Sequence, residues 1–578
     1  MCGIAGIIGN GNFKPALLEM LHAQKHRGPD ATGLYEDAGH AVLGHNRLSI
    51  IDLSEDANQP FADASGRYVM VFNGEVYNYL ELKDELADYP FRTQCDTEVL
   101  LAAYIKWGKE CLGRFNGMFS FAIWDNREKT LFAARDRFGV KPFYYHFDQG
   151  TFYFASEIKS LFAAGIRKLP EEKAWASFLA FGSYGMPDET FWEGIRQLPG
   201  GNWLTFADGK LQSGQWYDFV SAVGRQPSGL SYGEAKEHYL GLLRNSVRLR
   251  FRADVPVGFN ISGGLDSSVL LAMVNDYAGS PKNIKAYTFY TGHPDYDELP
   301  WVEMMISATG NPLEKVLLNS KEVPGLARLM AHHQDEPFGG IPTLAYSQLF
   351  KTARSQGTIV LLDGQGMDEQ WAGYDYYTKN IDSVVQGVAA SPLRPGVLSP
   401  EFLSHAQKPD YPKPFDDAML NLQYRDLFYT KIPRALRFND RVSMAYSTEL
   451  REPFLDHNMV EFAFSLPAEY KIRNGVTKKM LREIASEFLA ADLVFAPKRP
   501  LQTPQREWLA GDLSAFISGQ VEAILQSPFA RWFDADALRK EWSQYRNGDN
   551  QSAFHIWQWA NLALDLLQND ESSITESK

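Results

Sequence analysis

Cysteine at position 2, between Met1 and Gly3, puts a thiol beside an α-amine that removal of Met1 would free. A nucleophile and a base with a pKa of about 8 then share one residue. Gly3 lets a substrate approach the backbone closely. Taken alone, Cys2 reads equally well as a small buried residue opening a strand. A second chemistry lies in Ser262-Gly263-Gly264-Leu265-Asp266-Ser267-Ser268, which follows an apolar run and precedes a helical pattern. In that setting main-chain N–H groups and a helix N-terminus cradle phosphate. Gly263 and Gly264 permit close approach, the hydroxyls of Ser262 and Ser267 add donors, and Asp266 is placed to hold a Mg²⁺ bridging phosphates. A Gly-rich turn with a capping Asp would also explain this loop in isolation. A second loop, Asp363-Gly364-Gln365-Gly366-Met367-Asp368-Glu369, follows the apolar run 358–362. Neither loop matches GxxxxGK(S/T) or GxGxxG, so the P-loop and dinucleotide assignments fail. Two such loops at the carboxyl ends of parallel strands face one nucleotide, with Asp363 and Gly364 beside its phosphates and Asp266 and Asp368 sharing its magnesium.

These groups need two different scaffolds. Before residue 215 the chain has short apolar runs punctuated by Gly, Asn and Asp: Ala41–Gly44, Tyr68–Gly74, Phe119–Asp125 and Thr151–Ala155. They read as buried strands ending in turns, with helical patterns at Glu81–Leu86 and Glu98–Gly108. The expectation is stacked antiparallel sheets flanked by helices. A hairpin-like segment, Gly201–Lys210, precedes a polar stretch at Arg225–Gly229, and the boundary is expected at 215–230. Beyond it a helix (Tyr232–Leu249), a strand (Val257–Ile261), a helix (Ser267–Tyr277) and strands at Lys285–Tyr290 and Thr358–Leu362 alternate. That alternation implies a doubly wound parallel sheet. From Pro412 onward the pattern reads as mostly helical, and Asn569–Lys578 as a frayed polar tail.

At 578 residues, two or more domains are expected. The net charge of −14 argues against nucleic-acid binding through a basic surface. Three cysteines, Cys2, Cys95 and Cys111, form neither a disulfide framework nor a zinc-type CxxC, which fits a reducing cytoplasm. No signal peptide and no apolar stretch of about 20 residues is present, so a cytoplasmic protein with no membrane partner is expected.

Ordered motifs over nearly the whole chain resemble the glutamine-dependent asparagine synthetases. They are Cys2-Gly3-Ile4, Arg27-Gly28-Pro29-Asp30, Phe72-Asn73-Gly74-Glu75, Arg135-Asp136-Arg137-Phe138-Gly139-Val140-Lys141-Pro142, Ala155-Ser156-Glu157-Ile158-Lys159, Ser262–Ser267, Asp440-Arg441-Val442-Ser443-Met444 and Glu449-Leu450-Arg451-Glu452-Pro453-Phe454-Leu455-Asp456. The resemblance implies a two-domain α/β fold. An αββα sandwich of the N-terminal-nucleophile hydrolase type, a glutaminase, would span 2–215. A doubly wound synthetase domain of the adenine-nucleotide α-hydrolase type, with a helical C-terminal part, would span 230–565. It implies Cys2 as the nucleophile on the glutamine amide and Asn73 with the Gly74 N–H as oxyanion donors. Arg47 resembles the clamp of the glutamine carboxylate, and Asp96, with Glu75 nearby, the partner of its ammonium. In the second domain a carboxylate, aspartate first, is adenylated by ATP with release of pyrophosphate, and ammonia carried from the first domain displaces AMP. Lys478 resembles the lysine that stabilises the developing charge, with Lys479 as the neighbouring alternative. Asp335-Glu336-Pro337 and Glu449–Pro453 are expected near the synthetase cleft. The resemblance leaves room for a homodimer.

The chain departs from the family at the second loop. Many asparagine synthetases carry a glutamate, a proposed base for ammonia attack, where this chain has Gln365. An amide cannot take up a proton at neutral pH, so Gln365 is not a general base. Asp363 or another carboxylate replaces it, or the proton leaves through water, phosphate or pyrophosphate, or the acceptor is a carboxylate other than aspartate, such as a sugar acid or a peptide-like metabolite. Trp371-Ala372-Gly373 replaces the common Phe-Gly-Gly and would reshape the acceptor pocket.

Overall fold

The structure is a computed structural model that describes residues 2–279, 284–379, 391–495, 503–549 and 552–567; the tail expected at Asn569–Lys578 lies outside them. Twelve strands of the first part form two six-stranded sheets. One runs Ile195–Gln197, Tyr144–Asp148, Thr151–Ala155, Gly3–Ile8, Ala41–Arg47, Ala31–Asp37; the other Lys210–Gln215, Asn202–Ala207, Thr130–Arg135, Gly117–Asp125, Tyr68–Val76, Phe61–Ala62. All their pairings are antiparallel.

The period-two alternation of strands sets the first site. Ile4 and Ile8 point between the sheets, with Leu43 and Phe154, while Ala5 and Ile7 point to the outer helices. On the facing strand, Val69 and Val71 point between the sheets and Met70 and Phe72 outward, against the Asp96–Trp107 helix. Cys2 continues the even positions of one strand and Asn73 the odd positions of the other, so the two converge across the gap. Helices Lys14–Ala23, Ile158–Ala163 and Glu172–Phe181 cover the other outer face, completing four αββα layers.

The second part is a five-stranded parallel sheet ordered Leu313–Leu317, Ala286–Tyr290, Val257–Asn260, Val360–Leu362, Glu449–Arg451. Helices Tyr232–Arg250, Leu265–Ala278 and Lys479–Ala485 pack on one face, with Phe259 and Leu362 between. Helices Val323–Gln334, Gly340–Ser355 and Lys431–Met444 pack on the other, with Tyr287 and Leu361 between. In chain order the strands lie 3-2-1-4-5. The crossover direction reverses between Val257–Asn260 and Val360–Leu362, the position where open α/β sheets bind ligands.

Two strands depart from the sequence expectation. Leu313–Leu317 carries Glu314 and Lys315 and pairs only along the sheet's edge. Glu449–Arg451 lies in the region expected to be helical, yet all three residues are buried. Burial succeeds there because Arg451 Nε donates to Glu449 Oε1 at 2.6 Å and Arg451 Nη1 to the carbonyls of Arg250 and Arg252. The boundary expected at 215–230 contains a helix, Phe219–Gly224, just before the polar stretch, and its Phe219 packs on Phe428 and Phe464. Among the described residues no helix is long and apolar enough to cross a membrane.

Candidate active site

The Cys2 end is tightly held. Its main-chain N–H donates to Asn73 Oδ1 at 2.9 Å, its carbonyl accepts from Arg27 Nε at 3.0 Å, and its Sγ lies 3.9 Å from the Leu48 carbonyl. Burial pushes the thiol's pKa up, opposed by the chain's terminal ammonium. Asn73 is fully buried and its Nδ2 meets no acceptor, while its Oδ1 holds the Cys2 main chain; Asn73 itself does not line the cavity. A cavity of 20 Å³ is lined by Cys2, Arg47, Gly74, Glu75 and Asp96, five of the six residues expected around a bound glutamine.

The charges around this cavity are arranged in opposition. Arg47 donates to the carbonyls of Ser54 and Asp52 and to Asn58 Oδ1, all neutral acceptors. Glu75 Oε2 is buried without a donor, and Oε1 lies 3.5 Å from Arg451 Nη2. Burial raises the Glu75 pKa well above the usual range, reinforced by Glu449 and Asp96. Asp96 opens its helix and accepts from the Val76 N–H at 2.8 Å, yet burial still pushes its pKa up to about 6.

The second site sits at the switch point. A cavity of 310 Å³ is lined by Ser262, Gly263, Gly264, Asp266 and Ser267 from the first loop, Asp363, Gly364 and Asp368 from the second, and Lys478. Every expected nucleotide-site residue is thus brought to one cavity. The loop after Val257–Asn260 is braced by Ser267, whose hydroxyl donates to the carbonyls of Ser262 (2.7 Å) and Gly264 (3.0 Å). Lys478 Nζ lies 2.5 and 2.7 Å from the Asp266 oxygens and 2.6 Å from Asp368 Oδ1. Burial works against its ammonium, but Asp266 and Asp368 outweigh it and hold the pKa above the ordinary value. Lys478 takes a left-handed backbone (φ 56°) just before its helix, whereas Lys479 turns to Glu483 one turn on. The structure thereby separates the two lysines: only Lys478 reaches the cavity. Gly373 is required beside them, since a Cβ there would overlap Asp368 Oδ1 and Lys478 Cε.

The two expected metal carboxylates, Asp266 and Asp368, meet on one ammonium. Their oxygen donors suit Mg²⁺, and among the described residues no group of three or more His, Cys, Asp or Glu converges on a metal position. A magnesium here would need phosphate oxygens as further ligands, the usual arrangement for an ion carried by a nucleotide.

Several lining residues carry no sequence signal. Glu298 accepts from the Gly263 N–H at 3.0 Å, and Tyr346 lines both this cavity and a smaller one of 20 Å³ beside Thr288 and Tyr290. The Tyr374 hydroxyl donates to Glu369 Oε1 at 2.8 Å, and burial with Asp368 nearby pushes Glu369 up to about 8. Asp363 is pushed up to about 6 by burial. Gln365 lines the same cavity. Asp335 and Glu336, expected near the cleft, instead join the two halves: Glu336 accepts from the Phe191 N–H (2.9 Å) and Arg437 (3.0 Å), and the Asp335 carbonyl from Trp192 Nε1 (2.7 Å). They are at the junction because both accept donors from the first half, Asp335 from Trp192 and Lys159 and Glu336 from Phe191, while Glu336 also holds Arg437 of the second.

One strand touches both sites. Arg451 reaches Glu75 with its side chain, while its carbonyl accepts the Asp363 N–H at 2.9 Å. A second tie is buried nearby: Arg27, which holds the Cys2 carbonyl, forms a two-toothed pair with Asp440 at 2.8 and 3.1 Å and also reaches Glu157 at 2.9 Å.

Residues 1–217 match the model of a glutamine amidotransferase domain and residues 238–569 that of asparagine synthase. The chain is 28% identical over 595 residues to asparagine synthetase (glutamine-hydrolyzing) 3 of Bacillus subtilis (strain 168), covering 94% of each. It is 27% identical over 631 residues to asparagine synthetase (glutamine-hydrolyzing) 1 of the same organism, covering 97% of each. It is also 27% identical over 616 residues to amidase chry2 of Gibberella zeae, covering 90% of this chain and 91% of that one. Fold, paired sites and matches over both halves define a glutamine-hydrolysing ligase. The chain belongs to the asparagine synthase family, which uses ATP as a substrate.

Proposed function

We propose that the protein amidates a small carboxylic acid, aspartate first, using glutamine as nitrogen donor and ATP as activator, with a glutaminase domain at 2–215 and a synthetase domain at 230–565. The carrying observation is that the expected residues gather at two cavities joined through one strand, Glu449–Arg451. With Met1 removed, the Cys2 amine accepts the thiol proton and the thiolate attacks the glutamine amide carbon. The unpartnered Asn73 Nδ2 and the Gly74 N–H stabilise the oxyanion. The amine returns the proton as ammonia leaves, and water releases glutamate from the thioester. Arg47, surrounded by neutral acceptors, takes the glutamine carboxylate; Asp96 and Glu75 take its ammonium.

At the second site the Gly263–Ser267 loop and Asp363-Gly364 hold ATP. Magnesium would be held by Asp266 and Asp368 and would neutralise phosphate charge. An acceptor carboxylate oxygen attacks the α-phosphorus, pyrophosphate leaves, and Lys478 supports the charge that develops. Ammonia then attacks the acyl carbon and AMP departs, leaving the amide. The second reading, an acceptor other than aspartate, rests on Gln365, which removes the usual base from this cavity. Pyrophosphate release measured with glutamine and a panel of carboxylic acids decides between them. Release with aspartate supports asparagine synthesis; release with another acid and not aspartate replaces it; none with any acid refutes the proposed reaction.

A further inference from the structure

A third cavity lies where the two halves meet. Its volume of 330 Å³ is close to the 310 Å³ of the synthetase cavity, and it shares no lining residue with that cavity or with the Cys2 cavity. Residues 135–139, 184–189 and 197–219 form one wall and residues 424–437 the other.

Four guanidinium groups face this space: Arg135, Arg137, Arg434 and Arg437. Main-chain carbonyls hold the first two, at Leu198 and Gly139 for Arg135 and at Phe115 and Gly113 for Arg137. Arg437 pairs with Glu336 at 3.0 Å. Among the described residues Arg434 has no carboxylate within ion-pair reach, and it lies 5.6 Å from the centre of the Tyr184 ring. The two carboxylates of the wall, Asp188 and Glu189, are each engaged elsewhere at 2.8 Å, by Arg196 and Lys173. Asp136 lies near Arg135 and Glu461 near Arg137 behind the wall, yet the lining itself carries four arginines against two carboxylates engaged elsewhere, and Arg434 supplies the positive charge that draws an anion into a partly desolvated space. Tyr184 and Tyr217 from one half and Phe428 from the other supply flat apolar surface.

We propose that this junction cavity binds a small organic anion bearing an aromatic ring, with its acid group on Arg434 and its ring between Tyr184 and Phe428. An occupant contacts both halves, so binding strengthens their association. Carboxylate and phosphate share the required chemistry, and the probes separate them. Benzoate and phenyl phosphate are titrated calorimetrically into the full-length protein with saturating ATP, which closes the synthetase cavity to the probe. At least one is expected to bind once per chain and to raise the unfolding midpoint; benzoate alone identifies a carboxylate ligand, phenyl phosphate alone a phosphorylated one. Arg434→Gln removes a charged hydrogen-bond partner and is expected to weaken binding by about tenfold or more, leaving glutamate and pyrophosphate release unchanged. Asn202→Asp, which adds a carboxylate to the opposite wall, is expected to weaken it independently. Failure of both probes to bind, or unchanged binding in both variants, overturns the proposal.

Discussion

Replacing Lys478 by methionine keeps an unbranched side chain and removes the ammonium. That ammonium lies 2.5 to 2.7 Å from the oxygens of Asp266 and Asp368, which puts the two carboxylates about 5 Å apart or less. Two like charges at about 5 Å repel by about 3 kcal/mol at an effective dielectric constant of about 20. The variant thus loses an attraction of that order to each carboxylate and uncovers the repulsion between them, and under the proposed function ATP phosphates arrive next to both. A loss of about 3 to 5 kcal/mol in the transition state lowers the rate by about 10² to 10⁴. The assay is pyrophosphate release with ATP, aspartate and ammonia, which bypasses the Cys2 site, run beside glutamate release from glutamine. Pyrophosphate release is expected to collapse and glutamate release to stay within about twofold. Lys479→Met is the control, because Lys479 pairs with Glu483 away from the cavity. Pyrophosphate release in Lys478→Met within tenfold of the parent, or equal collapse in Lys479→Met, would refute the reasoning.

Three further outcomes follow from the geometry. Asp96, pushed up to about 6 by burial, is ionised above that pH and neutral below it. The KM for glutamine is therefore expected to rise as pH falls through about 6, and a KM flat down to pH 5 would contradict Asp96 as the ammonium partner. Gly373→Ala is expected to abolish pyrophosphate release while sparing glutamine hydrolysis, because the new Cβ displaces Asp368 and Lys478; an active variant would show that this contact yields. Asp440→Asn leaves the buried Arg27 with one fewer carboxylate and is expected to cost about 3 to 5 kcal/mol, read as a lowered denaturation midpoint. An unchanged midpoint would mean that the junction does not depend on this pair.

The parts of the site legible in the sequence are those carried by contiguous motifs. Cys2, the Asn73-Gly74-Glu75 run and the two Gly/Asp loops announce themselves because each needs several adjacent residue types at once. The alternation of strand and helix after residue 230 was legible for a similar reason: runs such as Ile359–Leu362 are apolar throughout. What escaped was built from distant, individually ordinary residues. Glu449 and Arg451 belong to a motif expected near the synthetase cleft in a stretch expected to be helical, and they form a buried strand because each neutralises the other. Glu298 and Tyr346 come to the cavity from segments with no motif. Asp335-Glu336-Pro337 reads as a cleft motif, yet Trp192, Phe191 and Arg437 draw it to the junction between the halves. The choice between Lys478 and Lys479 turned on a single left-handed residue, a backbone detail that spacing does not encode.

The proposed function requires two chemistries, joined by the Glu449–Arg451 strand, to run at separate cavities of one chain. Cys2→Ala tests it most directly, with amide formation from aspartate and ATP measured first with glutamine and then with ammonia as nitrogen source. The glutamine-driven rate is expected to vanish while the ammonia-driven rate stays within about twofold of the parent. Equal loss of both rates would contradict it.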